Sequence, residues 1–147
     1  MEVSLHSSAW WVGDHDIYAT LVDMAVLQRD EAGIRQYVQQ AEKLAMRYDH
    51  TLYQAVAHRA WGVAHRLAGE YPEAETRLNQ ALDLFNVLNT RWQIGRTLFE
   101  LGELATAQKD IAAAREYFAR AQVAFKEMHA APDAAQTKAA LERLKGL

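Results

Sequence analysis

Cysteine is absent from the 147 residues, which excludes disulfides and thiolate nucleophiles. Proline occurs twice and glycine seven times, too few for the many turns of a small all-β domain. No run approaches the ~20 apolar residues that span a bilayer. The first ten residues, MEVSLHSSAW, have neither a basic start nor an apolar h-region. No sign of charge dominates: 16 Lys and Arg stand against 19 Asp and Glu, a formal net charge of -3. Such a balance gives no electrostatic case for nucleic acid, whose non-specific binding rests on Lys and Arg at phosphates. These absences lead to the expectation of a soluble, cytoplasmic protein that contacts neither nucleic acid nor membrane.

Half of the residues are hydrophobic, enough for a sizeable core in one domain. Alanine, leucine, glutamine, glutamate and arginine dominate, and all are good helix formers. No stretch shows the sustained period-two alternation of a strand. The composition predicts an all-α chain.

Sliding the chain on itself by 40 residues aligns small with small and large with large. Ala41, Ala81 and Ala121 coincide, as do Val38, Leu78 and Phe118. Leu21, Trp61 and Leu101 form a further set, and so do Ala45, Phe85 and Phe125. Gly62 falls on Gly102, and Ala74 on Ala114. A fixed shift of this kind marks repeats that bury their faces on one another. Each unit holds two helical stretches, separated at Arg29-Asp30, Gly69-Glu70 and Lys109-Asp110. Asp30 and Asp110 are suited to cap the following helix. If these breaks need a left-handed residue, Arg29 and Lys109 each cost about 1 kcal/mol. Pro72 fits the first turn of its helix, and a last helix is predicted from Pro132 and Asp133 to about Lys145.

Trp61-Gly62, Gly69-Glu70-Tyr71-Pro72-Glu73-Ala74, Leu78 and Ala81 carry a recognisable pattern. A small residue follows a large one in the first helix, and a Gly-x-Tyr-x-x-Ala turn opens the second. Leu101-Gly102, Ala114, Phe118 and Ala121 repeat it; Leu21, Ile34, Val38 and Ala41 keep only the register. The pattern resembles tetratricopeptide repeats. HEAT-type repeats have a similar period but lack that turn. The usual tetratricopeptide period is about 34 residues, so a 40-residue unit lengthens its two helices together by roughly one and a half turns. The resemblance implies antiparallel helix pairs stacked into a right-handed superhelix of about seven helices. The expected units are residues 14–50, 51–90 and 91–131, with a capping helix over 132–147.

The register continues upstream of Asp14. Residues 1–13 read either as the tail of a preceding repeat or as a flap on the first unit. Trp10 and Trp11 there predict homo-oligomers through an apolar N-terminal edge.

The chain offers little reactive chemistry. It lacks a phosphate-binding Gly-x-x-x-x-Gly-Lys loop and a Gly-x-Ser-x-Gly elbow. His58 and His65 lie seven residues apart on one helix, about 10.5 Å, too far to share an ion. They occupy positions of large packing residues and are expected to be half-buried. The acidic run Asp14-His15-Asp16 is expected to cap a helix start, and Glu73 to pair with Arg77 four residues on. No catalytic residue, cofactor or metal is expected.

In repeats resembling these, the first helix of each unit lines a concave groove. By register, Asp16, Ala19, Asp23 and Val26 fall there from the first unit. Val56, Arg59, Val63 and Arg66 come from the second, and Arg96, Phe99, Glu103 and Thr106 from the third. The expected binding surface is Asp23, Val56, Arg59, Val63, Arg66, Arg96, Phe99 and Glu103: a basic strip flanked by acids and mixed with apolar side chains. Such a face suits a peptide with an acidic and an apolar part. The bland alternative makes these arginines bridges between units. The carboxylate clamp known in the family needs paired lysines and asparagines, which are missing here. The leading expectation is a non-enzymatic protein–protein interaction scaffold. The alternative is a ligand-sensing or regulatory segment of a larger signalling or transcription regulator.

Overall fold

The computed structural model describes residues 11–147, with side chains from Asp16 onward. The described residues form seven helices: α1 (Trp11–Leu27), α2 (Glu31–Arg47), α3 (Thr51–Leu67), α4 (Tyr71–Leu88), α5 (Arg91–Ala107), α6 (Ile111–Glu127) and α7 (Ala131–Leu144). No strand occurs among them. Consecutive helices pack on each other; in addition, α1 touches α3 and α3 touches α5. The odd-numbered helices therefore form a continuous inner layer, and α2, α4 and α6 lie outside it. The result is an all-α solenoid of three helix pairs closed by α7.

Each helix stops for a local reason. Left-handed residues follow at Arg29, Gly69 and Lys109 after the odd-numbered helices, and at Asp49, Asn89 and His129 after the even-numbered ones. Within each series the positions recur 40 residues apart. At every stop a backbone N–H reaches five residues back, as Asp30 N to Ala25 O at 3.0 Å does, which satisfies carbonyls a helix end leaves open. Gly69 alone of the six adopts this conformation without a Cβ penalty. Three of the helices that follow begin on a side-chain cap. Asp30 accepts from Gly33 N and Asp110 from Ala113 N. His50 serves the same role through Nδ1 toward Tyr53 N.

The core lies between the layers. Ile34, Val38, Ala60, Val63, Ala81 and Phe85 are buried in its first half. Leu78, Leu101, Phe118 and Phe125 are buried in its second. Gly62 and Gly102 exist for close approach. A Cβ on Gly62 would meet Leu78 Cγ at 2.5 Å, and one on Gly102 would meet Phe118 Cε1 at 2.6 Å. The large residue of α4 or α6 thus seats in the space the glycine leaves.

The Asp14-His15-Asp16 stretch lies within α1, and the side chains of Asp14 and His15 lie outside those described. Two local expectations change. Arg77 pairs with Glu42 of α2 at 2.6 Å rather than with Glu73, because the neighbouring helix brings a carboxylate closer than the exposed i−4 residue. The last helix begins before Pro132, at Ala131, since proline is accommodated in a first turn. Residues 1–10, and the side chains of Trp10 and Trp11 expected at an N-terminal edge, lie outside those described.

Candidate functional site

Asp23 on α1, Arg59 on α3 and Arg96 on α5 meet on the inner layer. Arg96 donates to both carboxylate oxygens of Asp23, Nη1 to Oδ2 at 2.8 Å and Nη2 to Oδ1 at 3.0 Å. Arg59 donates Nη2 to the same carboxylate at 3.4 Å, and its Nη1 reaches Gln93 Oε1 at 2.7 Å. A second cluster lies beside the first. Glu100 of α5 accepts from Arg29 at 2.9 Å and from Arg66 at 3.3 Å. Both clusters join α1, or the turn after it, directly to α5, over the top of α3.

Burial decides how these groups behave. Arg59 is 0% exposed and Arg96 7%. The Arg59 guanidinium lies 5.0 Å from the Phe85 ring centroid, and Arg96 lies 5.1 Å from that of Trp92. Burial and the neighbouring Arg96 charge push Arg59 down to about 10, against the pull of Asp23 and Glu100. Burial raises the Asp23 carboxyl, but the Arg96 hydrogen bond and the charges of Arg59 and Arg96 outweigh it. The net effect holds Asp23 below its ordinary value. Four guanidiniums thus stand in ion-pair contact with two carboxylates, while Asp16 and Glu103 add two further carboxylates to the same layer. The Nε atoms of Arg59 and Arg66 are buried without a hydrogen-bond partner.

The residues predicted for a binding strip therefore divide. Val56, Val63, Phe99, Arg59 and Arg96 are buried; Phe99 packs at 5.2 Å against the Phe118 ring. Arg66 keeps a side chain only 10% exposed. The arginines bridge units, because α1, α3 and α5 approach so closely that their inward side chains reach one another before they reach solvent. Asp23 and Glu103 are half-buried. What the inner face does expose is Asp16, Thr20, Met24 and Leu27 of α1, with Met24 51% and Leu27 65% accessible. A shallow cleft of about 260 Å³ lies there, bordered by Asp23, Met24, Leu27, Tyr53 and Gln93. The Asp16 carboxylate accepts from the Tyr53 phenol; burial and that carboxylate push Tyr53 up to about 12.

Sequence reasoning missed Glu100 and Arg29. The signal for Glu100 was present: it falls 40 residues after Ala60, a buried small position. A carboxylate at such a position needs a cation.

The two histidines are half-buried. His65 stacks on Trp61 at 5.8 Å and contacts Glu70 at 2.8 Å. His58 Nδ1 lies 3.0 Å from Arg77, and burial with that charge lowers its pKa. Among the described residues, no three His, Asp or Glu side chains gather as a metal site. No described helix is long and apolar enough to cross a membrane.

Helix pairs joined through left-handed stops, with a glycine receiving a large side chain, recur through this inner and outer layering. Residues 53–127, half of the chain, match the family described as tetratricopeptide repeat. The chain belongs to the tetratricopeptide repeat family. The matched stretch runs from α3 into the end of α6, the two units with the glycine-receiving geometry. A search among curated proteins finds no match. Tetratricopeptide repeat domains generally mediate protein–protein interactions and are typically not catalytic. In this tetratricopeptide domain, the inner face combines exposed apolar side chains on α1 with a network of paired arginines and carboxylates beneath them.

Proposed function

We propose that the chain is a non-enzymatic interaction module whose inner face receives a protein or peptide segment with apolar and acidic side chains. The observation that carries this reading is the adjacency of exposed Met24 and Leu27 to the paired network in which Arg29, Arg59, Arg66 and Arg96 meet the two carboxylates of Asp23 and Glu100. Apolar side chains of a partner would cover Met24 and Leu27. A partner carboxylate would approach Arg29, whose side chain stays 31% exposed at the edge of the network. Asp23, Arg59, Arg66 and Arg96 serve this reading as the frame that sets the shape and potential of the face, with Val56, Val63 and Phe99 as its support and Glu103 at its margin. The shallow inner cleft of about 260 Å³ falls below the common range for small-molecule pockets, which favours a peptide over a metabolite at this face.

Peptide display against the full chain tests the proposal. Recovered peptides should combine apolar with acidic residues, and Met24→Asp with Leu27→Asp should abolish their binding while the helical melting curve persists. A display that returns no binder, or a double variant that retains its affinity, overturns it.

A further inference from the structure

A second surface, separate from the inner face, lies between α6 and α7. The two helices border an open cleft of about 550 Å³. Arg115 and Lys126 of α6, Lys138 of α7 and Lys145 just after it line it, and all four are exposed. Glu142 is the one carboxylate lining it, and it pairs with Lys145 at 3.4 Å. Among the described ion pairs, none engages Arg115, Lys126 or Lys138. This is the reverse of the inner layer, where each guanidinium has a carboxylate.

The cleft has the form of a helix seat. Forty residues earlier, the same surface of α5 presents Ile94, Leu98, Leu101 and Gly102, and α6 lies against it through Phe118 and Phe125. The corresponding residues of α7 are Ala134, Lys138, Leu141 and Glu142. Ala134 and Leu141 keep a half-buried apolar floor, while Lys138 replaces a buried leucine. A surface that needed only solubility would be served by interspersed charges of both signs. Four cations against one carboxylate instead favour an occupant of opposite charge. Arg115 and Lys126 stand eleven residues apart on α6, about 16 Å, the length of three helical turns.

The geometry points to this cleft as the docking site of an acidic amphipathic helix from a partner protein. The helix seats on α7 as α6 seats on α5. Its apolar stripe covers Ala134 and Leu141, and its flanking carboxylates meet Arg115, Lys126 and Lys138. Helix-in-groove recognition of this kind takes its affinity from the apolar anchors and its selectivity from the charges.

The test uses the full chain and a labelled synthetic helix with a leucine stripe flanked by glutamates, read by fluorescence anisotropy. Two comparison probes are the same peptide with lysines for glutamates and a single-stranded DNA oligonucleotide. The glutamate peptide should bind saturably, and Lys126→Glu with Lys138→Glu should weaken it by at least about tenfold. Lys43→Glu, an exposed change on α2, should leave binding unchanged. All three positions are exposed, so circular dichroism should report intact folding. Absence of saturable binding, equal binding of the lysine peptide, or an unchanged affinity in the folded double variant overturns the proposal. Binding of the oligonucleotide in competition with the peptide at equal or higher affinity makes the cleft a nucleic-acid surface and overturns it too. Light scattering that shows self-association abolished by the double variant assigns the cleft to a second copy, with the same consequence.

Discussion

Asp23 and Arg96 are 73 residues apart in the chain and share two hydrogen bonds, at 2.8 and 3.0 Å. This contact ties the first helix pair to the third without passing through the second. Among the described residues, Asp23 is also the only carboxylate that Arg59, fully buried beside it, contacts in an ion pair. Loss of Asp23 therefore leaves two guanidiniums uncompensated at once.

Asp23→Ala should destabilise the fold by about 2–3 kcal/mol, below the range for a wholly buried pair because the carboxylate is partly exposed. Urea denaturation measures it. The pH dependence has a definite sign. A folded-state pKa below the ordinary 3.8 means that the unfolded chain binds the proton more readily. The contribution is complete above pH 3.8 and is lost as pH falls through the lowered folded value. Denaturation curves taken on either side of that window should show a steeper acid loss in the wild type than in Asp23→Ala.

Arg59→Met should behave differently. Methionine nearly fills the volume and removes one of the two buried cations that share the Asp23 carboxylate, while Asp23 keeps its two bonds to Arg96. We expect a change within about 1 kcal/mol, against about 3–5 kcal/mol lost in Arg59→Ala. Equal destabilisation by the two variants would show that Arg59 matters through its charge.

Gly102→Ala places a methyl 2.6 Å from Phe118 Cε1 and should cost about 1–3 kcal/mol through overpacking. Adding Phe118→Leu should recover part of the loss. A double-mutant cycle by thermal denaturation measures the coupling, and strict additivity would contradict the contact.

The helix stops supply a paired prediction. Gly69 has φ +79° and no atom within 4 Å of an added Cβ, so Gly69→Ala tests backbone strain alone and should cost about 1 kcal/mol. Lys109 holds φ 63° at the equivalent stop, and Lys109→Gly should gain up to about 1 kcal/mol. Opposite shifts in melting temperature are expected.

Much of the architecture was legible because each repeat writes the same local physics into the chain. Gly62 and Gly102 stand opposite Leu78 and Phe118, and those pairings are visible as a register before any coordinates. Asp30 and Asp110 announce helix starts through the chemistry of a carboxylate facing open N–H groups. His50 did not, since a histidine cap depends on which ring nitrogen faces the helix.

The inner face was read only in part. By itself, the sequence determined the repeat register that puts Asp23, Arg59, Arg66 and Arg96 on the first helix of their units, because period and helical spacing act over a few turns. That α1, α3 and α5 share one inner layer was implied by the resemblance to tetratricopeptide repeats. Only the tertiary structure decided that the arginines pair inward while Met24 and Leu27 remain exposed. That outcome depends on how closely the first and third helix pairs approach across the second. Their distance is set by packing summed over the whole stack, and no local spacing encodes it.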